Sequence, residues 1–126
     1  MRIWSFDREA ALGRLHDWAA RIGQRDDVLA VVLFGSMARG DATAASDADV
    51  LVLLRGSDLD FMERAVRMKP IGLVPAGVEL FPYTLAEAEC ALREQSGVVP
   101  VALTEGHVLF EQPGALAALG ARAQRS

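Results

Sequence analysis

Two aspartates separated by a single residue, Asp47 and Asp49, stand at the entrance to an apolar run, Val50–Leu54. On an extended strand alternate side chains share a face, so the two carboxylates project together. Like charges held that close are costly unless a cation lies between them. The pair therefore suggests a hard divalent ion, and Mg²⁺ suits it best, with Mn²⁺ as an alternative, because Mg²⁺ takes one or two carboxylates and completes its shell with water and phosphate oxygens. Upstream, a second apolar run, Val28–Phe34, ends in Gly35 and Ser36. Gly35 lets the backbone turn sharply and lie close to a ligand. Ser36 offers a hydroxyl and, with Met37 and Ala38, backbone N–H groups at what reads as the first turn of a helix, where anions are favoured. A phosphate cradle beside a metal pair is what handling a nucleoside triphosphate requires.

Gly35-Ser36, ten intervening residues and then Asp47-Ala48-Asp49 resemble the nucleotidyltransferase motif of the DNA polymerase beta superfamily. The fuller string, Gly35 to Gly40 followed by Ser46 to Val50, is similar to its small branch, the minimal nucleotidyltransferases (MNT). The stretch Glu105–Glu111 also resembles the C-terminal end of MNT domains, where an apolar strand follows a Glu-Gly turn. The resemblance implies a nucleotidyltransferase fold, ATP as the NTP substrate and a divalent cation. It also implies a third carboxylate, usually Asp, on a strand beside the first pair, completing the metal site and taking the acceptor's proton. Glu79, within Val78–Leu80, occupies the matching place. Glu reaches one methylene further than Asp, so Glu79 is either that third ligand or an outward-facing side chain on a half-exposed strand. Arg39, three residues after Ser36, faces the same phosphates as a fork of donors or else pairs with Asp41 or Asp47 to fix the loop.

These groups need elements to hold them. From Asp7 to about Gln24, Ala11, Leu12, Leu15, Trp18, Ala19 and Ile22 recur at helical steps, with Asp7 as the N-cap. Val28–Phe34 reads as a strand buried on both faces. Ser36–Arg39 reads as a helical turn, Gly40–Ser46 as a loop and Ala48–Leu54 as the second strand. Ser57 to Asp60 has the form of a capping box opening a helix to about Met68. Pro70, Gly72, Pro75 and Gly77 enclose an irregular connection. Val78–Phe81 reads as a strand ended by Pro82. Thr84 and Glu87 form a capping box for a helix to about Gln95, and Pro100 opens a short helix to about Glu105. His107–Phe110 reads as a last strand and Gly114 to Arg122 as a terminal helix. Interleaved strands and helices imply an α/β (α+β) architecture, a mixed β-sheet flanked by helices.

The chain of 126 residues fits one domain, 1–126, with a single core. Its composition, 52% hydrophobic and 24% charged, is that of an ordinary globular protein. A net charge of −4 argues against an extensive nucleic-acid surface. No apolar run approaches the roughly 20 residues that span a bilayer. A single cysteine, Cys90, excludes an internal disulfide and fits a reducing cytoplasmic location. Cys90 itself reads as a small core or semi-buried residue, and His16 and His107, far apart in sequence, as structural histidines. Trp4, Phe6 and Trp18 either cap the core or form an apolar patch for a partner.

The expected function is Mg²⁺-dependent transfer of a nucleoside monophosphate from an NTP to an acceptor hydroxyl. Asp47, Asp49 and Glu79 are the catalytic and metal-binding residues, and Gly35, Ser36 and Arg39 bind the nucleotide. A domain this size leaves no room to recognise an acceptor alone, so another protein presents it; a homo-oligomer is also open. Many MNT proteins are antitoxins paired with a HEPN-domain ribonuclease toxin, to which they attach AMP at a tyrosine. The resemblance therefore implies a HEPN-type partner. Two alternatives stand beside this reading: a catalytically weak nucleotide-binding module acting by contact alone, and transfer to a small molecule.

Overall fold

The computed structural model describes residues 7–40 and 46–124. Its elements in chain order are α1 (Arg8–Ile22), β1 (Val28–Phe34), α2 (Ser36–Arg39), β2 (Ala48–Leu54), α3 (Phe61–Met68), β3 (Val78–Thr84), α4 (Leu85–Glu94), α5 (Val99–Glu105), β4 (His107–Glu111) and α6 (Ala115–Gln124). The strands form one sheet in the order β3-β2-β1-β4. β1 runs antiparallel to both β2 and β4, whereas β2 and β3 are parallel. The expected mixed sheet flanked by helices is what the chain builds.

The two central strands carry apolar residues at successive positions because helices cover both their faces. Every residue of β1 is buried. Val28, Val31 and Leu33 of β1 and Ala48, Val50, Val52 and Leu54 of β2 pack with Leu15, Trp18 and Ala19 of α1. On the other face, Leu29, Ala30, Val32 and Phe34 join Leu51, Leu53, Ala88, Ala91, Val99, Ala102 and Leu119. Leu29 and Ala30 share that face because the β1–β2 register shifts between Val28 and Ala30, an irregularity that breaks the strict alternation of a strand. Truncating a fully buried leucine here, Leu33 or Leu51, removes contacts worth about 3 kcal/mol.

The helix starts follow the side chains that cap them. Asp7 accepts from the Ala10 N–H and opens α1 as expected. Thr84 and Glu87 form the reciprocal capping box of α4. At α3 the cap is Asp60, which accepts from the Glu63 N–H at 2.8 Å, not Ser57. Ser57 instead accepts from Leu59 N–H and shapes the preceding turn. β3 does not stop at Pro82 but continues to Thr84. The missing N–H is tolerated because β3 is a sheet edge, and the Pro82 carbonyl accepts from Arg64 rather than from a strand.

Cys90 is exposed, contrary to the semi-buried position expected from its apolar neighbours. The buried face of α4 is Ala88 and Ala91, and Cys90 lies off that stripe, with its Sγ 3.3 Å from a Glu94 carboxylate oxygen. Trp18 caps the core, whereas Trp4 and Phe6 lie outside the described residues. So do residues 41–45 of the loop, including Asp41. No described helix is long and apolar enough to cross a membrane.

Candidate functional site

β1 ends at Phe34 and the chain turns at once into α2. Gly35, the residue between, has φ 76° and ψ −156°, a backbone that side chains rarely adopt. A Cβ on Gly35 would also run into the Asp49 carboxylate. Two independent constraints thus hold this position to glycine. The first amide to close a helical bond is that of Arg39, to the Gly35 carbonyl at 3.1 Å, so the amides of Ser36, Met37 and Ala38 precede the ladder. Gly35 has no side chain with which to cap them.

The short helix is pinned from below and behind. Met37 is fully buried, and its carbonyl accepts from Arg8 Nε at 2.9 Å and from an Arg8 terminal nitrogen at 2.7 Å. Arg8 lies at the start of α1, so the first helix fixes the turn that follows the first strand. Gly40 closes α2 in the left-handed conformation. Nothing in the sequence pattern singled out Arg8, because its partner is a main-chain oxygen 29 residues away.

Asp49 and Glu79 face each other across the parallel β2–β3 pair as register partners. Asp49 is also the cross-strand partner of Phe34, one residue before the Gly35 turn. Asp47 lies just before β2 and is exposed, and Glu79 is exposed on the edge strand, while Asp49 is partly buried between them. Val78 and Leu80, on either side of Glu79, point into the core beside α1, so Glu79 takes the same side of the sheet as Asp49. The Asp49 carboxyl is raised above its ordinary pKa of 3.8, first by burial and then by the charges of Glu79 and Asp47, with Arg39 pulling the other way. Three acidic groups that resist one another's charge, all offering oxygen, fit a hard divalent cation. As they stand, no three acidic, histidine or cysteine side chains among the described residues are grouped tightly enough to enclose an ion.

Arg39 takes a partner the sequence did not suggest. It forms an ion pair with Glu105 at the end of α5, 3.1 Å between Nη1 and Oε1. Glu105 is delivered by Gly106, whose backbone lies so close to Val32 and the Ala102 carbonyl that no Cβ fits. Asp41, one alternative partner, lies outside the described residues. Ser36 begins α2, partly exposed. The structure therefore brings Gly35, Asp49 and Glu79 into direct juxtaposition, with Asp47 and Arg39 near enough to act on Asp49 by charge.

A second charged group lies at the far end of β3. Arg64 of α3, 5% exposed, donates to both Glu87 carboxylate oxygens at 2.8 and 2.9 Å, to the Pro82 carbonyl and to the Leu59 carbonyl. Those hydrogen bonds hold the Glu87 carboxyl at about 2, well below the usual carboxylate range. Glu87 was legible as a cap, but its arginine partner was not, since nothing in an amphipathic pattern marks a buried arginine.

The family model for the nucleotidyltransferase domain matches residues 18–98, a span that contains Gly35, Ser36, Arg39, Asp47, Asp49 and Glu79. No curated protein sequence shows significant similarity to the chain. Among solved structures, a Sulfolobus solfataricus protein assigned to the nucleotidyltransferases superposes with a TM-score of 0.58 at 17% identity, covering 86% of each chain. A chain of a toxin–antitoxin complex with AMP-PNP gives 0.55 at 16% identity, covering 90% of this chain and 84% of its own. A chain from the Shewanella oneidensis complex of a tri-AMPylated HEPN toxin with its MNT antitoxin gives 0.52 at 16% identity, covering 94% and 85%. These likenesses show a shared fold, and the family match extends over most of the described sheet. The chain belongs to the nucleotidyltransferase domain family.

Proposed function

We propose that this nucleotidyltransferase moves AMP from ATP to a hydroxyl of a partner protein of the HEPN type, with Mg²⁺ or Mn²⁺ as the cofactor. The observation that carries the reading is the register pairing of Asp49 with Glu79, beside a glycine whose backbone closes onto Asp49. Asp47, Asp49 and Glu79 would hold the cation, which when bound supplies charge neutralisation for the triphosphate and its transition state. Gly35 lets the main chain approach the phosphates, and the amides and hydroxyl at Ser36 give them donors. Arg39, already tied to Glu105, holds a positive charge at the same rim. Glu79, exposed on the edge strand, is the group that can reach an incoming acceptor hydroxyl and take its proton. Most of the acceleration comes from orientation and fixed charge. The AMP-PNP and AMPylated-toxin complexes that share the fold support the choice of adenylate and of a protein acceptor.

The test is label transfer from α-labelled ATP to a co-expressed HEPN partner, with mass spectrometry locating the adduct. Glu79→Gln should lower transfer at least tenfold, about 1.4 kcal/mol in the barrier, while nucleotide binding survives. Glu79→Asp should retain activity. Tight partner binding without any adduct, indifferent to all three carboxylate substitutions, would overturn transfer and leave inhibition by contact.

A further inference from the structure

The described residues contain a second set of potential metal ligands, on the α1 face of the sheet rather than the face that carries Asp49 and Glu79. His16 and His107 are 91 residues apart in sequence, yet their Nε2 atoms lie 3.3 Å apart. Their ring centroids are 5.4 Å apart and the ring planes stand at 88°. Both side chains are exposed, so solvent and small ions reach them. We propose that this pair is a two-histidine site for a borderline divalent transition ion, Zn²⁺ or Ni²⁺, separate from the Mg²⁺ carboxylates.

The spacing carries the inference. Zn–N bonds of about 2.0–2.1 Å at a tetrahedral angle put two ligand nitrogens about 3.3 Å apart. The two Nε2 atoms are already at that separation without an ion. The backbone positions of the two residues are set by the fold rather than by the pair itself. His16 follows Leu15, which is fully buried in the core with Trp18 and Ala19. His107 opens β4 in register with Leu33 of β1. Phe110 of β4 packs against Gly23 so closely that no Cβ would fit there, which locks α1 onto β4. The two backbones therefore do not have to travel, and binding orders only two side chains that already meet.

Neutral imidazole permits binding through either ring nitrogen. In the metal-free pair one ring donates Nε2–H to the lone pair of the other. On binding, that ring takes its Nδ1–H tautomer, and both Nε2 lone pairs face the ion with no net proton released. Imidazole nitrogen selects Zn²⁺, Ni²⁺ or Cu²⁺ over Mg²⁺, which prefers oxygen. No third histidine, cysteine or acidic side chain among the described residues joins them, so water completes the shell. An ion here ties α1 to β4, both packed beside β1, the strand that ends at Gly35.

The experiment is calorimetric titration of the chelator-treated chain with Zn²⁺ and Ni²⁺ in buffer saturated with Mg²⁺. One binding event per chain is expected, and His16→Gln and His107→Gln should each weaken it at least tenfold. Asp47→Asn and Asp49→Asn should leave it unchanged. Circular dichroism of the metal-free variants checks that they fold. If a histidine variant fails to fold, zinc-induced shifts of the two imidazole signals in the unaltered protein decide the matter: shifts at both rings support the site. Isotherms indifferent to both histidine substitutions, loss of binding with the aspartates instead, or unmoved imidazole signals would overturn it.

Discussion

At the start of β3 the Glu79 carboxylate stands beside Asp49 with no basic side chain on the same strand pair, and burial first, then the charges of Glu79 and Asp47, push the Asp49 carboxyl up against the pull of Arg39. At its end, Glu87 receives two hydrogen bonds from Arg64 and one from the Thr84 amide, and its carboxyl is pulled down to about 2. One strand thus leads from an acidic cluster short of positive charge to one that is fully matched. The matched end stabilises the fold. The other end opposes folding in the absence of a cation, since a carboxyl whose folded pKa is raised favours the native state only at low pH, and that contribution is lost as pH rises through the folded value. A group arranged against stability is a candidate for function, because an incoming ligand can supply what is missing.

The sharpest way to break this contrast is Asp49→Asn. If Asp49 is held there for an ion and a triphosphate, nucleotidyl transfer should fall at least about 100-fold, near 2.7 kcal/mol in the barrier. The same substitution removes a charge that burial and two neighbours disfavour, so the melting temperature without divalent ions should rise or hold. Thermal melts with and without Mg²⁺-ATP measure both: the ligand-induced shift should vanish in the variant. A clear drop in the metal-free melting temperature would mean that Asp49 is a structural residue like Glu87.

Arg64→Met probes the other end with the opposite signature. It leaves Glu87, the Pro82 carbonyl and the Leu59 carbonyl without their shared donor. Glu87 is 44% exposed and can recover water, which moderates the loss expected for a buried pair. A cost of about 2 kcal/mol, or a melting temperature lower by about 8 °C, is expected. Transfer activity measured well below the melting point should be unaffected. Activity lost in a folded Arg64→Met protein would show that α3 positions the site as well as bracing β3.

The two ends were also unequally legible. Gly35, Ser36, Asp47 and Asp49 stood out because their chemistry is local: a turn, a helix start and alternation on one strand all lie within fifteen positions. Glu79 needed the parallel register of β2 and β3, which no spacing encodes, and only the family pattern drew attention to it. Arg8, Glu105 and Arg64 act on groups 29, 66 and 23 residues away, the last two through side chains and the first through a carbonyl. The strands and helices themselves were largely readable, since burial on both faces leaves an uninterrupted apolar run and caps mark helix starts. Pro82 misled because the rule that proline ends a strand depends on whether the strand is central or an edge. Cys90 misled because an apolar neighbourhood in sequence does not say which side of a helix a residue takes.

The smallest effect concerns pH and isolates the charge of Glu87 from its capping role. A carboxyl with its folded value depressed to about 2 from 4.5 contributes stability that is present above about 4.5 and is lost as pH falls toward 2. Glu87 is partly solvated and water screens its pairing with Arg64, so about 1 kcal/mol is expected. Glu87→Gln keeps an oxygen that can accept from the Thr84 amide, so the capping box survives while the charge is lost. Denaturant melts at a series of pH values should therefore show the unaltered protein more stable by about 1 kcal/mol at neutral pH, with the two curves converging as pH falls from 4.5 to 2. Asp49 titrates with the opposite sign and is present in both proteins, so it cancels in the difference. A gap that stays constant down to pH 2 would assign the loss to packing and remove charge matching as the distinction between the two ends of β3.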